Sequence, residues 1–442
     1  MRIKDFEKGQ AIILLVLSMV GLLGFTALAI DGGLIYSDRR IAQNAADATA
    51  LAGAERAGEL LNGVVFGGWF CPEGDAEESA RLNALDNDFT ISKVDDLNSV
   101  ENGVAAICND AAHYVDVHVK LTTQTQTAFA HFVFSGVLKN TVEAVARVYG
   151  QIPVGGGKAL LALDKDCNPP VKGGMEFKGN EEVNVVDGDV HSNCDMTFSG
   201  STGLVDVTNG DITYNDDFGD QKGPPPAGTQ TVNPPPVGNS EYITVDIDPP
   251  VCTGSNNGDA DGMVGGNTIN PGIYDDITVN ASAEELTLNP GLYCINGKFK
   301  ISGGQITGNG VTLYFPSSAG AINTEGDAIV DLAAPDPQTC ESAGICPPAI
   351  GGVLIYFEPG GSPSSPDISL GGTSGSTYSG MIYAPEAEVN VGGTSNMVGG
   401  QTIDYGISVV AFGIKIFGNT DINITYDADK MPQEDAWIRM ER

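Results

Sequence analysis

A run of twenty residues without a charge, AIILLVLSMVGLLGFTALAI, opens at Ala11 and closes at Ile30. At about 1.5 Å of rise per residue, a helix of that length spans about 30 Å, the thickness of a hydrocarbon core. Arg2, Lys4 and Lys8 precede the run and Asp31 follows it. The basic flank normally stays in the cytoplasm, so residues 1–10 are predicted there, residues 11–30 across the membrane and the rest outside. Arg39 and Arg40 weaken that charge bias, but the cysteines favour the same topology. A cleaved signal peptide would have a shorter apolar core ending in an A-x-A-like site. Thr26-Ala27-Leu28-Ala29 matches that site poorly, so the run reads as a retained single-pass anchor.

Composition limits what the remainder can do. Over 442 residues the formal net charge is −35. Phosphate contacts need clustered Lys and Arg, so nucleic-acid partners are excluded. With 41% hydrophobic and 18% charged residues, the chain is not a disordered acidic tail. The eight cysteines, Cys71, Cys108, Cys167, Cys194, Cys252, Cys294, Cys340 and Cys346, show no CxxC spacing. They all follow the apolar run, and they read as disulfides of an oxidising compartment rather than zinc ligands. Spacing alone does not fix the connectivity. Pairing of sequence neighbours (71–108, 167–194, 252–294, 340–346) is the expectation, because each pair falls within a stretch of uniform texture.

The helical pattern continues past the run through IYSDRRIAQNAADATALAGAERAGELL to about Leu61. Ile41, Ala45, Ala48 and Ala52 recur at i, i+4, i+7 and i+11, a narrow stripe that lets another backbone approach closely. Its partner is either another envelope helix or the chain's own small domain.

These residues resemble the N-terminal segment of TadG-like proteins of the Tad (Flp-type) pilus-assembly system. The resemblance is carried by Gly9-Gln10-Ala11, the apolar run, Ala29-Ile30-Asp31-Gly32-Gly33, Tyr36, Arg40, Gln43-Asn44-Ala45-Ala46-Asp47-Ala48 and Ala50-Leu51-Ala52-Gly53-Ala54. It covers about 50 residues in register. It implies a single-pass envelope protein with a pilin-like N-terminal helix, acting with other pilus-assembly or envelope proteins through that helix, and it implies no catalysis. Leu14 stands where classical prepilins carry Glu, five past Gly9, so prepilin processing is not carried over. The DxSxS metal site of some relatives is absent from the sequence as well.

Residues 31–150 then read as the stem helix followed by a pilin-like α+β domain. A second helix is expected over 75–87, with Ala76, Ala80, Leu82 and Leu85 inward. Strands are expected at 114–119 and 141–149, where side chains alternate, with an aromatic run at 129–134 between them. His113, His118 and His131 match no metal-ligand spacing.

After Gly155-Gly156-Gly157 the texture changes to short β-rich runs punctuated by Gly, Asn and Asp. Met175-Glu-Phe-Lys-Gly179 returns 21 residues later as Met196-Thr-Phe-Ser-Gly200, and Gly188-Asp189-Val190 returns 22 residues later as Gly210-Asp211-Ile212. Ile368-Ser-Leu-Gly-Gly-Thr-Ser374 returns as Val389-Asn-Val-Gly-Gly-Thr-Ser395, with a weaker echo at Ile414. One coil of a parallel β-helix needs about that many residues, and stacked coils complete a core that none has alone. The fold is therefore expected to be mainly β, with a β-solenoid of about 21-residue coils over 151–426. An antiparallel sandwich is the alternative. Proline-rich stretches at 223–228 and 233–238 flank an extended crossing segment. Residues 333–349 and 359–366 read as loops, the first stapled by Cys340 and Cys346. The tail, 427–442, is polar and expected to fray or form a short helix.

Candidate chemistry is sparse. Asn257, Asp259 and Asp261 with Gly262 match the first half of an EF-type loop, a candidate calcium site, but Thr268 replaces the closing Glu. Asp216-Asp217 and Asp275-Asp276 are weaker. No carboxylate pair is set apart by spacing, and GxSxG and Walker patterns are missing. The reading is a non-enzymatic structural component of pilus assembly or surface display, with no cofactor beyond the calcium candidate. The alternative is an adhesin that binds surface glycans. Tyr356, Tyr378 and Tyr383 would stack sugars if exposed, although core positions suit them too. A polysaccharide-cleaving β-helix enzyme is the last reading kept.

Overall fold

The structure is a computed structural model. It describes residues 10–62, 70–110, 114–129, 137–165, 167, 174–179, 182–199, 204–215, 232–233, 243–316, 320–324, 326–360, 368–371, 375–392, 402–418, 421–434 and 436–441. Expectations that rest on Arg2, Lys4, Lys8, His113, His131, residues 130–134, Asp216, Asp217, the proline-rich stretches (Asn233 apart), 361–366, 372–374 and 393–395 lie outside the described residues. The chain divides into two compact units, Met1–Gln151 with Asp435–Arg442, and Ile152–Glu434.

In the first unit, helix α1 (Gln10–Leu61) is continuous through the apolar run and the stem. Helix α2 (Glu73–Asp86) packs on it. The sheet contains β1 (Ser92–Lys93), β2 (Gly103–Asn109), β3 (Tyr114–Thr125) and β4 (Leu138–Tyr149) in that order. β2, β3 and β4 are antiparallel neighbours. Inward side chains alternate along β3, where Val115, Val117, Val119 and Leu121 are fully buried. They meet a face of α1 made of Ala42, Ala45, Ala46, Thr49, Ala50, Gly53, Ala54, Ala57, Gly58 and Leu61. These positions recur every three or four residues, the signature of one helix face.

That face corrects the expected stripe by one position. Ala45 is buried, but Ile41 is exposed and Ala48 and Ala52 are only half-buried. One residue is about 100° around a helix, so the choice of starting residue decides which side packs. The surface it packs against is the chain's own sheet and α2. α2 needs a similar correction: Ala76, Ala80 and Ala84 face inward, while Leu82 and Leu85 are exposed. Small side chains face inward because the helices approach closely, as the Ser79 Oγ–H bond to the Ala52 carbonyl shows at 3.0 Å.

The tail carries its expected short helix only as a 3₁₀ turn, Ala428–Lys430, and its end is a strand instead. Trp437–Glu441 forms an antiparallel edge strand on β4. Trp437 stacks on Tyr149 with ring centroids 4.3 Å apart. In the next row Arg147 makes two bonds to Asp116, at 2.7 and 2.8 Å, and lies 3.4 Å from Glu441. These bonds hold the guanidinium pKa above its ordinary value. The composition of 427–442 hid a strand because its partner lies nearly 300 residues earlier in the chain.

The second unit is a parallel β-solenoid with three faces. On the first face the inward residues stack in register as Ala260, Ile277, Phe299, Ile322, Ile368, Val389, Ile414, Met175 and Met196. All nine are buried. The repeats read from sequence are thus vertical neighbours: Met175 over Met196, Val190 over Ile212, Ile368 over Val389. The coil between Ile322 and Ile368 is longer because it carries the loop stapled by Cys340–Cys346.

The coil order does not follow the chain. Coils run from the 256–295 end to 414–425, where Asp421–Thr425 completes two faces of a coil. The third face of that level is Lys158–Ala162, from the start of the unit, paired with Val409–Ala411 below and Val190–Ser192 above. Residues 174–214 continue the stack beyond it. The chain therefore enters and leaves inside the stack, two levels short of the 196–214 end, and Ile152–Pro153 and Gln433–Glu434 pair antiparallel.

Residues 243–252 return the chain to the far end as a strap across the third face. Ile243 exchanges bonds with Asn193. The Tyr383 hydroxyl donates to the Val245 carbonyl and the Tyr356 hydroxyl to the Ile247 carbonyl. Cys252 is bonded to Cys294. Nine extended residues cover about 30 Å, and six strand spacings of about 4.8 Å come to about 29 Å. The strap thus matches the distance it has to bridge.

Candidate functional site

Residues 12–30 present apolar side chains all round the helix. Ile12 (66% exposed), Leu22 (68%) and Phe25 (74%) touch nothing in the chain that would shield them from water. A helix apolar on every side needs an apolar surround. α1 has the length and hydropathy to cross a membrane. At its outer end Asp31 is 5% exposed. Its carboxylate accepts from the backbone N–H groups of Ala128 (2.7 Å) and Phe129 (3.1 Å), just past β3. This tie was not read from the sequence, although a lone acidic residue closing an apolar run was its signal.

The four disulfides are Cys71–Cys108, Cys167–Cys194, Cys252–Cys294 and Cys340–Cys346. The residues considered for calcium build the capping coil of the solenoid. Asp261 Oδ1 accepts from the Thr278 hydroxyl at 2.5 Å, and its carbonyl accepts from Asn267. The backbone N–H of Asn257 donates to Ile273. Asp276 caps the Lys298 N–H. Among the described residues, no three His, Cys, Asp or Glu side chains converge as a metal site would require.

Tyr356, Tyr378 and Tyr383 are each 1% exposed. Tyr356 and Tyr383 lie under the strap, and burial raises the pKa of both hydroxyls. The third face is thereby buried on both sides. The uninterrupted runs GLYCI, VTLYF and VLIYF, buried at every position, signal this in sequence.

His191 lies in the same row, at the strap's other end. Asn193 Oδ1 accepts from the Ile243 N–H, so the network assigns the His191 proton to Nε2, donating to Asn193 Oδ1 (3.1 Å). Nδ1 then accepts from the Thr213 hydroxyl at 2.7 Å. Burial lowers the imidazole pKa. The unfolded chain binds this proton more readily, so the contribution of neutral His191 is complete above about pH 6.5 and is lost as pH falls below it. The unit's thermal transition should therefore drop further between about pH 7.5 and about pH 5 in the native chain than in His191→Gln. Equal drops would remove His191 as a source.

Comparison with known proteins agrees with the N-terminal geometry. Residues 9–57 match the family model Tad, described as "Putative Flp pilus-assembly TadE/G-like". A search of curated proteins finds no match. Among solved structures, the crystal structure of the competence-associated pilin ComZ from Thermus thermophilus aligns over 79% of this chain and 86% of its own. At 10% identity and a TM-score of 0.22, that likeness carries no argument. The family match spans the apolar run and most of the buried face of α1, and over this N-terminal segment the chain is similar to the TadE/G-like proteins of Flp pilus assembly.

Proposed function

We propose that the chain is a non-catalytic, membrane-anchored structural component of Tad/Flp-type pilus assembly. Its N-terminus lies in the cytoplasm and both folded units lie outside. The observation that carries the reading is the single helix α1, exposed and apolar over residues 12–30 and packed by small residues onto its own sheet from Ala42 onward. The family match over the same helix supports it. The basic N-terminal flank and four disulfides support the orientation. The repeated residues of the solenoid serve as core and turn positions, which suits a spacer or scaffold. The glycan-binding alternative loses its sequence support, because the three tyrosines offered for it are buried.

Protease shaving of intact cells, read under non-reducing conditions, tests the reading. Release of a large disulfide-linked fragment would place the folded units at the cell surface. Protection until an outer barrier is opened would place them in a periplasm, in an internal assembly role. Digestion only after the cytoplasmic membrane is breached would overturn the orientation.

A further inference from the structure

The contacts between α1 and the β3–β4 hairpin have a direction. The Gln43 side chain donates to the Glu143 carbonyl, and Asn140 donates to the Ile35 carbonyl. Ala128 and Phe129 donate to Asp31. From Glu143 to Asn140 the strand advances about 10 Å, and from Gln43 to Ile35 the helix recedes about 12 Å. The hairpin therefore runs alongside α1 towards the apolar run, and Ala128 and Phe129, just past β3, are pinned at the first residue beyond that run. Apolar side chains are exposed at this level: Phe129 is 44% exposed and Val137 57%, and Ile30, Leu34 and Tyr36 are exposed on α1. Water is a poor surround for such a group, and the folded unit supplies no cover for it.

We propose that Phe129 and Val137 form a second membrane contact, seated at the lipid headgroup–acyl boundary of the bilayer that α1 crosses. The proposal rests on the reading of α1 as a spanning helix. If residues 11–30 fill the hydrocarbon, Asp31 lies at its edge, and the headgroup layer extends about 5–7 Å beyond. Leu34 and Tyr36 follow Asp31 by about 4.5 and 7.5 Å along the helix, and Phe129 is held at the level of Asp31. Phe and Tyr are suited to this layer, where an apolar body and a polar edge are both accommodated. Asp31 can sit beside lipid because both of its oxygens accept backbone N–H bonds. This contact would prevent the stem from pivoting on a single helix, so its role is to fix the angle at which the first unit leaves the membrane.

The test uses the full-length chain in vesicles containing lipids brominated either near the headgroup or near the acyl-chain ends. The native Trp69 and Trp437 set the baseline. Phe129→Trp and, separately, Val137→Trp should each add emission that is mostly lost with headgroup-proximal bromines and mostly retained with deep bromines. Leu22→Trp, in mid-span, should show the reverse preference. Quenching of Leu22→Trp with none of Phe129→Trp or Val137→Trp would overturn the membrane contact and leave the span intact. No quenching at any of the three would overturn both. Equal quenching of Phe129→Trp by both lipids would place residue 129 in the hydrocarbon and overturn the interfacial position.

Discussion

Gly53→Leu should destabilise the first unit by about 3 kcal/mol, at the upper end of what overpacking costs a dense interior. A Cβ at Gly53 would lie 2.9 Å from the Ala76 carbonyl oxygen and 2.9 Å from Val117 Cγ1. The valine could rotate, but the carbonyl belongs to the first turn of α2 and has nowhere to go. Relief would require α1 and α2 to separate, which would open the alanine face on both. For a unit of this size the thermal transition should fall by about 10 °C. Leu at Ala48, one face away and half-buried, should move it by under about 2 °C. Calorimetry of the full chain in detergent makes the comparison. An unchanged transition in Gly53→Leu would mean that α1 does not pack through this face, and the Ala48 stripe read from sequence would regain its claim.

The near miss on that stripe shows what sequence patterning resolves. Around residues 42–58 nearly every position is Ala, Gly or a small polar residue, so hydrophobicity has little contrast from one side of the helix to another. The existence of the helix is legible, and its packing face is set by what it meets. The solenoid is the opposite case. Val389 and Ile368 announce their stacking because a repeat in sequence becomes a neighbour in space, and the period of 21 residues is the length of one coil. Two features were not legible. The seam, where Leu160 follows Val409 in the stack although about 250 residues separate them, joins segments with no local signal in common. The tail strand is equally non-local: Trp437 finds Tyr149 only once the solenoid has returned the chain to its starting point. The strap at 243–252 was not expected either: the crossing segment read between the two proline-rich stretches lies almost wholly outside the described residues, and cover for the aromatic row comes from beyond both of them. That row reads as exposed or buried according to what lies over it, and composition does not say what does.

Removing the Cys252–Cys294 disulfide by Cys252→Ser with Cys294→Ser should cost the solenoid about 4 kcal/mol, the loop-entropy value for a closed segment of 42 residues. The local consequence is more diagnostic than the total. The strap has three kinds of attachment: the disulfide at one end, the Tyr356 and Tyr383 hydroxyls along its length, and Asn193 at the other end. A hydrogen bond of this kind contributes about 1 kcal/mol, so neither tyrosine compensates for the lost covalent link. Fraying should therefore begin at residue 252 and progress towards Ile243, where Asn193 both donates to the carbonyl and accepts from the N–H. Amide hydrogen exchange should rise steeply at Val251 and Ile247 and least at Ile243. Tyr356, released before Tyr383, should become accessible first. Uniform exchange along residues 243–252 would show that the strap detaches as one piece and that Asn193 does not hold it. Exchange unchanged from the native chain would show that burial of Val245 and Ile247 against the third face retains the strap without the disulfide. The graded outcome follows from the geometry, because the strap crosses one coil after another and is held at four of those levels by different bonds.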